Sequence, residues 1–541
     1  MTAVRVFHSG MVYTADAAGT RTQAVAVGHG RIMAVGSDNE VLTAYPSAEL
    51  MDLGGRTMVP GFIDAHNHYL ATGEGLAAID ARFPGVASPD DLVAAVAAAA
   101  DDRAAGQWLS GFGFDHAKYD RWPTRWDLDR ATTEHPVAIR HVSGHYLLVN
   151  SVALAAAGVN DSTPDPKGGA FVRDEVGHLT GLCLDAAMGI VEPVAVDIGS
   201  HGPNFHVQAS MDDLVAAVDR AGRAYVAAGL TTVCDAQVTR REMAAYRRAR
   251  ALGSWWVRVA CMPLSNQLAE YGAAGLASGF GDDMLWLGPM KFYMDGSLIG
   301  GTAVFTEPYG EHGEFEGIFY WQPEEMRSMI TEAHRQGWQV GVHTQGDRAI
   351  EATLDAIEAA MESDPRPDPR HRIEHCGLPT AEQVARMARL GVVAINQPNY
   401  LHDQGDEFLA RLGERAHRLQ PLRAELEAGV TIALSSDADV TTFRPLETIT
   451  NAVMRTTMGG RAIGADQALT VEEAIRAHTI DAAYSIFAED RLGSIEPGKQ
   501  ADLVVIDGDP FSAPPNEIRD LEVWMTVIDG KTVFDPGGLI L

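Results

Sequence analysis

The feature that most constrains this chain is a repeated alternation. Short β-branched runs at residues 58–66, 231–236, 257–263, 290–294, 339–343, 372–375, 392–397 and 431–435 are separated by Ala-rich stretches of mixed polarity. Runs of that kind read as buried parallel strands, because a strand covered on both faces shows apolar residues without alternation, and the stretches between them read as crossover helices. Eight such strands, each followed by helical sequence, predict an α/β fold built as a (β/α)8 TIM-type barrel rather than an open sheet. The domain expected from this pattern spans residues 59–492.

Both chain ends read differently. Residues 1–58 carry short apolar runs broken by Gly, Asp and Ser, and residues 493–541 repeat that character through Ala501-Asp-Leu-Val-Val-Ile506 and a turn at Asp529-Gly530. Chain termini often lie close together, so the two ends are expected to form one composite β-sandwich domain. His68 and Thr231 stand much further apart than the roughly 30 residues a βα unit takes, which predicts an inserted substructure at about residues 72–210 after the first barrel strand. That insertion holds Trp108, Phe112, Phe114, Tyr119, Trp122 and Trp126, aromatics that suit a cover over the barrel mouth.

Composition removes several function classes. With 42 Lys+Arg against 73 Asp+Glu the formal net charge is −31. Neither nucleic acid nor an anionic membrane is an expected partner, since both draw affinity from clustered basic side chains. The four cysteines, Cys183, Cys234, Cys261 and Cys376, form no CxxC pair and so neither a disulfide framework nor a thiolate zinc site. No apolar run approaches the roughly 20 residues of a membrane span, and no leader is evident at the first residues, so a cytoplasmic location is expected.

Candidate chemistry gathers at the strand ends. In Val59-Pro-Gly-Phe-Ile-Asp-Ala-His66-Asn-His68, two histidines two residues apart on a strand present their imidazoles to the same side. They stand at the C-terminal end of the first proposed barrel strand, where active sites of this architecture lie. Lys291, His343, His375 and Asp437 recur at the same relative place on later strands. Each alone has an ordinary reading: a strand-end histidine closes a loop, a carboxylate caps the next helix, a lysine reaches for the rim. Imidazoles and a carboxylate converging on one barrel end match borderline-soft divalent metal chemistry, above all zinc. Asp295, Glu374 and Asp347 lie beside these positions as candidate acceptors for the imidazole N–H groups, with loop capping as the alternative. The Gly-rich, aromatic segment 300–320 reads as a lid or as a plain surface loop.

Together these stretches resemble the amidohydrolase superfamily, specifically the amidohydrolase 3 branch that includes N-substituted formamide deformylases. The resemblance rests on residues 59–68, Ser143-Gly-His145 to Asn150, residues 291–297, 343–347 and 372–375, Ser436-Asp437, and Leu492-Gly-Ser-Ile-Glu-Pro-Gly-Lys-Gln-Ala-Asp502. It implies a hydrolase of non-peptide C–N bonds in which His66, His68 and Asp437 bind one metal, His343 and His375 a second, and a carboxylated Lys291 bridges them. One or two ions, Zn2+ first among them, would activate water to hydroxide and polarise a carbonyl. Asp437 would shuttle the proton from water to the leaving nitrogen, and His145 would stand near the substrate as an oxyanion donor or a structural hydrogen-bond partner. The implied substrate is a small amide or formamide with a hydrophobic N-substituent, and a homodimer is the expected assembly. Other readings are an N-acyl amino acid, carbamate or cyclic imide hydrolase, a heterocycle deaminase, and a non-catalytic scaffold. An acidic substrate would need a cation, for which Arg140 and Arg444 are the candidates.

Overall fold

In the computed structural model, which describes residues 4–101, 103, 105–116, 119–141, 146–166, 169–185, 187–192 and 195–539, nine short parallel strands make two sheets of a mixed α/β fold. β1 (Phe62–Asn67), β2 (Leu230–Val238), β3 (Arg258–Pro263) and β4 (Leu285–Leu287) are ordered β4-β3-β2-β1. β5 (Met290–Tyr293), β6 (Val340–His343), β7 (Arg372–Glu374), β8 (Val393–Asn396) and β9 (Ile432–Leu434) follow one another in chain order. All but β4 are buried at every residue, which is why their sequences run apolar and β-branched instead of alternating.

The connecting helices carry their own start and stop chemistry. Thr239 and Glu242 form a capping box at the start of Arg240–Leu252, which Gly253 ends in the left-handed region, φ 81°. Thr380 and Gln383 do the same for Ala381–Leu390, ended by Gly391 at φ 65°. Such caps satisfy the backbone groups a helix leaves open at its ends.

Side chains from both sheets share one buried cluster, including Ile63, Ala65, Ala236 and Met262 from β1–β3 with Val393, Ile395 and Ala433 from β8 and β9. Leu264 pairs in parallel with Lys291, and the Asp437 amide donates to the His66 carbonyl at 2.9 Å.

The run 58–66, expected as one strand, is two. Thr57–Pro60 pairs antiparallel with the C-terminal strand Leu503–Asp507, and only from Phe62 does the chain enter β1. Gly61 makes the change of sheet possible: a Cβ there would stand 2.2 Å from Thr231 Oγ1. A seven-stranded sheet thus runs from Gly538–Leu539 through Lys531–Asp535, Glu522–Ile528, Leu503–Asp507, Thr57–Pro60 and Met11–Tyr13 to Arg21–Thr22. A four-stranded sheet of Arg31–Gly36, Ala24–Gly28, Arg5–His8 and Glu49–Asp52 shares a core with it through Phe7, Val25, Met58, Val505 and Met525. β4 is the strand that sequence reading did not find.

A second compact unit comprises Leu70–Asp197 and Asn204–Ala217. Its six-stranded sheet has the order Gly169–Arg173, Leu179–Asp185, Tyr146–Val149, Val137–His141, Leu109–Phe114, Ile79–Asp80. Among the described residues, no helix is long and apolar enough to cross a membrane. All four cysteines are buried free thiols.

Candidate metal centre

Six side chains singled out in the sequence sit on or just beyond parallel strands, five of them at or past a C-terminal end and Lys291 near the start of its strand. His66 lies on β1 and His68 one residue past it; Lys291 is on β5, His343 ends β6, His375 follows β7 and Asp437 follows β9. All six are buried. His375 and Asp437 reach their places through left-handed backbone, φ 74° and 54°, an arrangement costing about 1–3 kcal/mol per residue that surrounding structure must hold in place.

The hydrogen bonds determine what these groups offer. His66 Nδ1 meets Glu374 Oε2 at 2.6 Å, and His68 Nδ1 meets the Ala236 carbonyl at 3.2 Å. His343 Nε2 faces the Gly296 carbonyl at 3.1 Å, and His375 Nδ1 faces Gln397 Oε1 at 2.9 Å, whose amide nitrogen donates to Ser435 Oγ at 2.8 Å. Each imidazole therefore gives its one N–H to an oxygen, so its second nitrogen carries a lone pair. His66 Nε2 and His68 Nε2 stand 3.4 and 3.1 Å from Asp437 Oδ1, with these ligand atoms all within 4.8 Å of one another.

With those tautomers, Asp437 Oδ1 is a buried oxygen that meets no hydrogen-bond donor. Lone pairs converging at this distance repel unless a cation enters, so the donor set of two imidazoles and a carboxylate fits a divalent metal. The His343 and His375 rings lie 4.3 Å apart, and His375 lies 4.9 Å from the His66 ring, which brings the second histidine pair alongside the first.

Burial pushes three of the imidazoles and the lysine toward their neutral, metal-competent forms. It lowers His66 to about 4, with Lys291 adding to the effect, and His375 to about 3; His343 falls well below the usual imidazole value for the same reason. Burial opposes charge on His68 also, but the Asp437 carboxylate outweighs it and raises that pKa. Burial would raise Asp437, yet the surrounding imidazoles hold it well below the carboxylate range. Lys291 drops to about 8 because it is enclosed, only partly offset by Glu374 and Asp437. Its Nζ lies 3.3 Å from His66 Nε2 and 4.6 Å from the centre of the Tyr293 ring.

Of the three carboxylates expected to orient imidazoles, Glu374 does so. Arg372, itself fully buried, forks onto both Glu374 oxygens at 2.8 Å and also reaches the Ala65 carbonyl at 2.8 Å, tying β7 to β1 just ahead of His66. Burial alone would raise the Glu374 pKa, but Arg372 and His66 hold it far below. Asp295 touches no imidazole: it accepts from the amides of Val304, Gln345 and Gly346 at 2.8–3.0 Å and so pins two loops. Asp347 accepts from Thr306 and Arg348 amides at the start of the helix Asp347–Ser363.

The segment 300–320 is anchored by Asp295, with Ala303, Val304, Phe305 and Tyr309 buried. Arg140 is paired with Glu192, and Arg444 with Glu447 at 2.9 Å on the surface, so each already has a carboxylate. His145 lies outside the described residues. Tyr400, which no sequence motif marks, donates to Asp437 Oδ2 and is buried beside His375.

Comparison with known proteins supplies independent findings. Residues 49–534 match the family described as the Amidohydrolase family. The chain is 32% identical to the N-substituted formamide deformylase of Arthrobacter pascens over 97% of each chain. An uncharacterized metal-dependent hydrolase from Pyrococcus horikoshii shares the fold at TM-score 0.79, 23% identity, 95% of this chain and 99% of that one. Another from Pyrococcus furiosus does so at TM-score 0.77, 25% identity, 94% and 100%.

Proposed function

Starting from the fact that this chain belongs to the amidohydrolase family, a metal-dependent hydrolase of C–N bonds other than peptide bonds, we propose that it cleaves a small amide or formamide bearing a hydrophobic N-substituent. The observation that carries this reading is the convergence of His66 Nε2, His68 Nε2 and Asp437 Oδ1 with their lone pairs turned to one point. The deformylase relative supports the formamide class. The prior pairing of Arg140 and Arg444 supports an uncharged substrate over an acidic one.

In this reading the two parallel sheets close into a (β/α)8 barrel in which β4 and β5, successive along the chain and both paired beside β3, share one of the eight places. The Leu264–Lys291 bridge at one seam and the Asp437–His66 backbone bond at the other support it. His66, His68 and Asp437 would hold one divalent ion, with zinc the best match to the donors, and His343 and His375 a second. Lys291, neutral far more readily than a free lysine, would carry the bridging carboxylate. A divalent cation supplies water made acidic near neutral pH and a polarised carbonyl.

The chain's own residues do the rest. Glu374 and Gln397 fix the His66 and His375 rings, so the donor atoms need no reorganisation. Tyr400 holds Asp437 Oδ2, leaving Oδ1 facing the imidazoles. Asp437 takes the proton of the attacking water and returns it to the departing nitrogen, which otherwise leaves poorly as an amide anion.

The test is turnover by the metal-reconstituted chain of formamides graded in N-substituent size, read as formate and amine released in equal amounts. Metal-loaded protein that binds these compounds without releasing amine would overturn the proposal.

A further inference from the structure

Among the described residues only two groups of metal-capable side chains bring a ligand atom from each of three residues within 4.8 Å of one another: the barrel-strand cluster above, and Asp115, His116 and His141 in the unit of Leu70–Asp197. From this second group we infer that the inserted unit carries its own divalent metal site, taking Zn2+ through two imidazoles and one carboxylate. It shares no residue with the first cluster, so neither reading depends on the other.

The topology of the unit makes the site. Leu109–Phe114 and Val137–His141 are neighbouring parallel strands in which Phe114 is registered against His141. Their C-terminal ends therefore fall together, and Asp115 and His116, which directly follow the first strand, come up beside the last residue of the second. His116 Nδ1 lies 3.0 Å from His141 Nε2, and Asp115 Oδ1 lies 4.0 Å from the same nitrogen. Two nitrogens bound at about 2.0–2.1 Å to one tetrahedral ion stand about 3.3 Å apart, so the two imidazoles are near their liganding separation already.

The rings are also held. Trp122 stacks on His116 with centroids 3.6 Å apart and planes 16° from parallel, and Phe114 meets His141 edge-on at 4.9 Å. Tyr146 meets both Trp122 and His141, with ring centroids 5.1 and 5.5 Å away. Aromatic walls of this kind fix imidazole orientation and lower the local dielectric, which strengthens attraction for a cation. Nitrogen and oxygen donors without thiolate favour zinc-class ions over soft ones, and three protein ligands leave a position for exchangeable water.

The test is metal content of the full-length chain after loading with Zn2+ and exhaustive dialysis, compared with the His116→Ala variant. Wild type is expected to retain one equivalent more than His116→Ala, and the His66→Ala/His68→Ala double variant to retain that same extra equivalent. Loading with Co2+ gives a second readout: the wild type minus His116→Ala difference spectrum should show d–d bands of a nitrogen- and oxygen-ligated ion. Should His116→Ala fail to fold, Asp115→Asn replaces it, expected to weaken Zn2+ at this site at least about tenfold with the circular dichroism unchanged. Equal zinc content and identical Co2+ spectra in wild type and variant would overturn the inference and leave a plain N–H···N bond between the two rings.

Discussion

Glu374 Oε2 accepts the Nδ1–H of His66 at 2.6 Å, and the same carboxylate is clamped by Arg372 from below. The pair crosses from β7 to β1, so an interaction between two strands distant in sequence sets which nitrogen of His66 faces Asp437. The arginine keeps the carboxylate ionised inside a fully buried site; burial and the neighbouring Lys291 keep the imidazole neutral against that carboxylate's pull, and the carboxylate orients it. A buried charge pair of this sort contributes little net stability. Its consequence here is geometric.

Replacing Glu374 by Gln should reduce metal affinity and, because it leaves Arg372 buried without its counter-charge, also lower stability by about 3–5 kcal/mol while the folded architecture is kept. The amide keeps the size but ends the carboxylate's hold on the Nδ1 proton, and partners of this kind typically contribute 10- to 100-fold in metal affinity. Zinc competition against a chromophoric chelator measures it, with near-wild-type circular dichroism expected alongside. Unchanged affinity would mean that His66 is oriented by packing alone.

Tyr400→Phe removes the hydroxyl that donates to Asp437 Oδ2. A hydrogen bond to a charged group contributes about 1.5–3 kcal/mol, so kcat should fall roughly 10- to 100-fold with KM little changed if Asp437 transfers the proton as proposed, because the loss then falls on that carboxylate rather than on substrate contacts. The acidic limb of the kcat–pH profile should move upward, since the carboxylate loses a bond that favours its ionised form. A change confined to KM would place Tyr400 in substrate binding instead.

What was legible in the sequence follows from the range of the interactions concerned. The His66–His68 spacing is readable because strand periodicity is local, and His343 and His375 are readable because a parallel strand's C-terminal end has a predictable use, whereas Lys291, second residue of β5, is marked only by the family resemblance of residues 291–297. Glu374 could not be separated from Asp295 and Asp347, since all three adjoin metal-capable residues and only the tertiary structure shows which one meets an imidazole and which two meet backbone amides. Tyr400 lies in the helix Pro398–Asp403, where nothing nearby in sequence signals a partner 37 positions away. β4 is three residues long and escapes any periodicity, and the division of the 58–66 run depends on the close approach of Thr231 to Gly61.

The C-terminal strands are tied to β3 by Arg258, which is fully buried and donates to Asp502 at 2.7 and 3.0 Å and to Asp529. Asp502→Ala leaves the guanidinium buried with a single carboxylate, and breaking a buried pair costs about 3–5 kcal/mol. Chemical denaturation should show a loss of that order, with the Arg258→Met/Asp502→Leu double variant recovering part of it. A double variant as unstable as the sum of its singles would show that the pair is not coupled.

Glu473 offers the clearest pH signature outside the metal centre. It closes the capping box of Val471–Ala477 by accepting the Thr470 amide at 2.7 Å, and Arg423 binds both its oxygens at 2.8 and 2.6 Å. The Arg423 hydrogen bonds are the largest cause of its pKa falling from 4.5 to about 2. A carboxylate depressed in the folded state stabilises fully above its unfolded pKa, and that stabilisation is lost as pH falls through the folded value. The shift alone would correspond to roughly 3 kcal/mol, reduced by solvent screening at this part-exposed pair to about 1–2 kcal/mol. Glu473→Gln should therefore unfold more easily than wild type by about that amount at pH 7 and nearly equally at pH 5.5, with more than about half of the gap gone by pH 3.5. Urea titrations at the three pH values measure it, and a gap that stays constant down to pH 3.5 would show that the helix cap, not the ion pair, accounts for the stability.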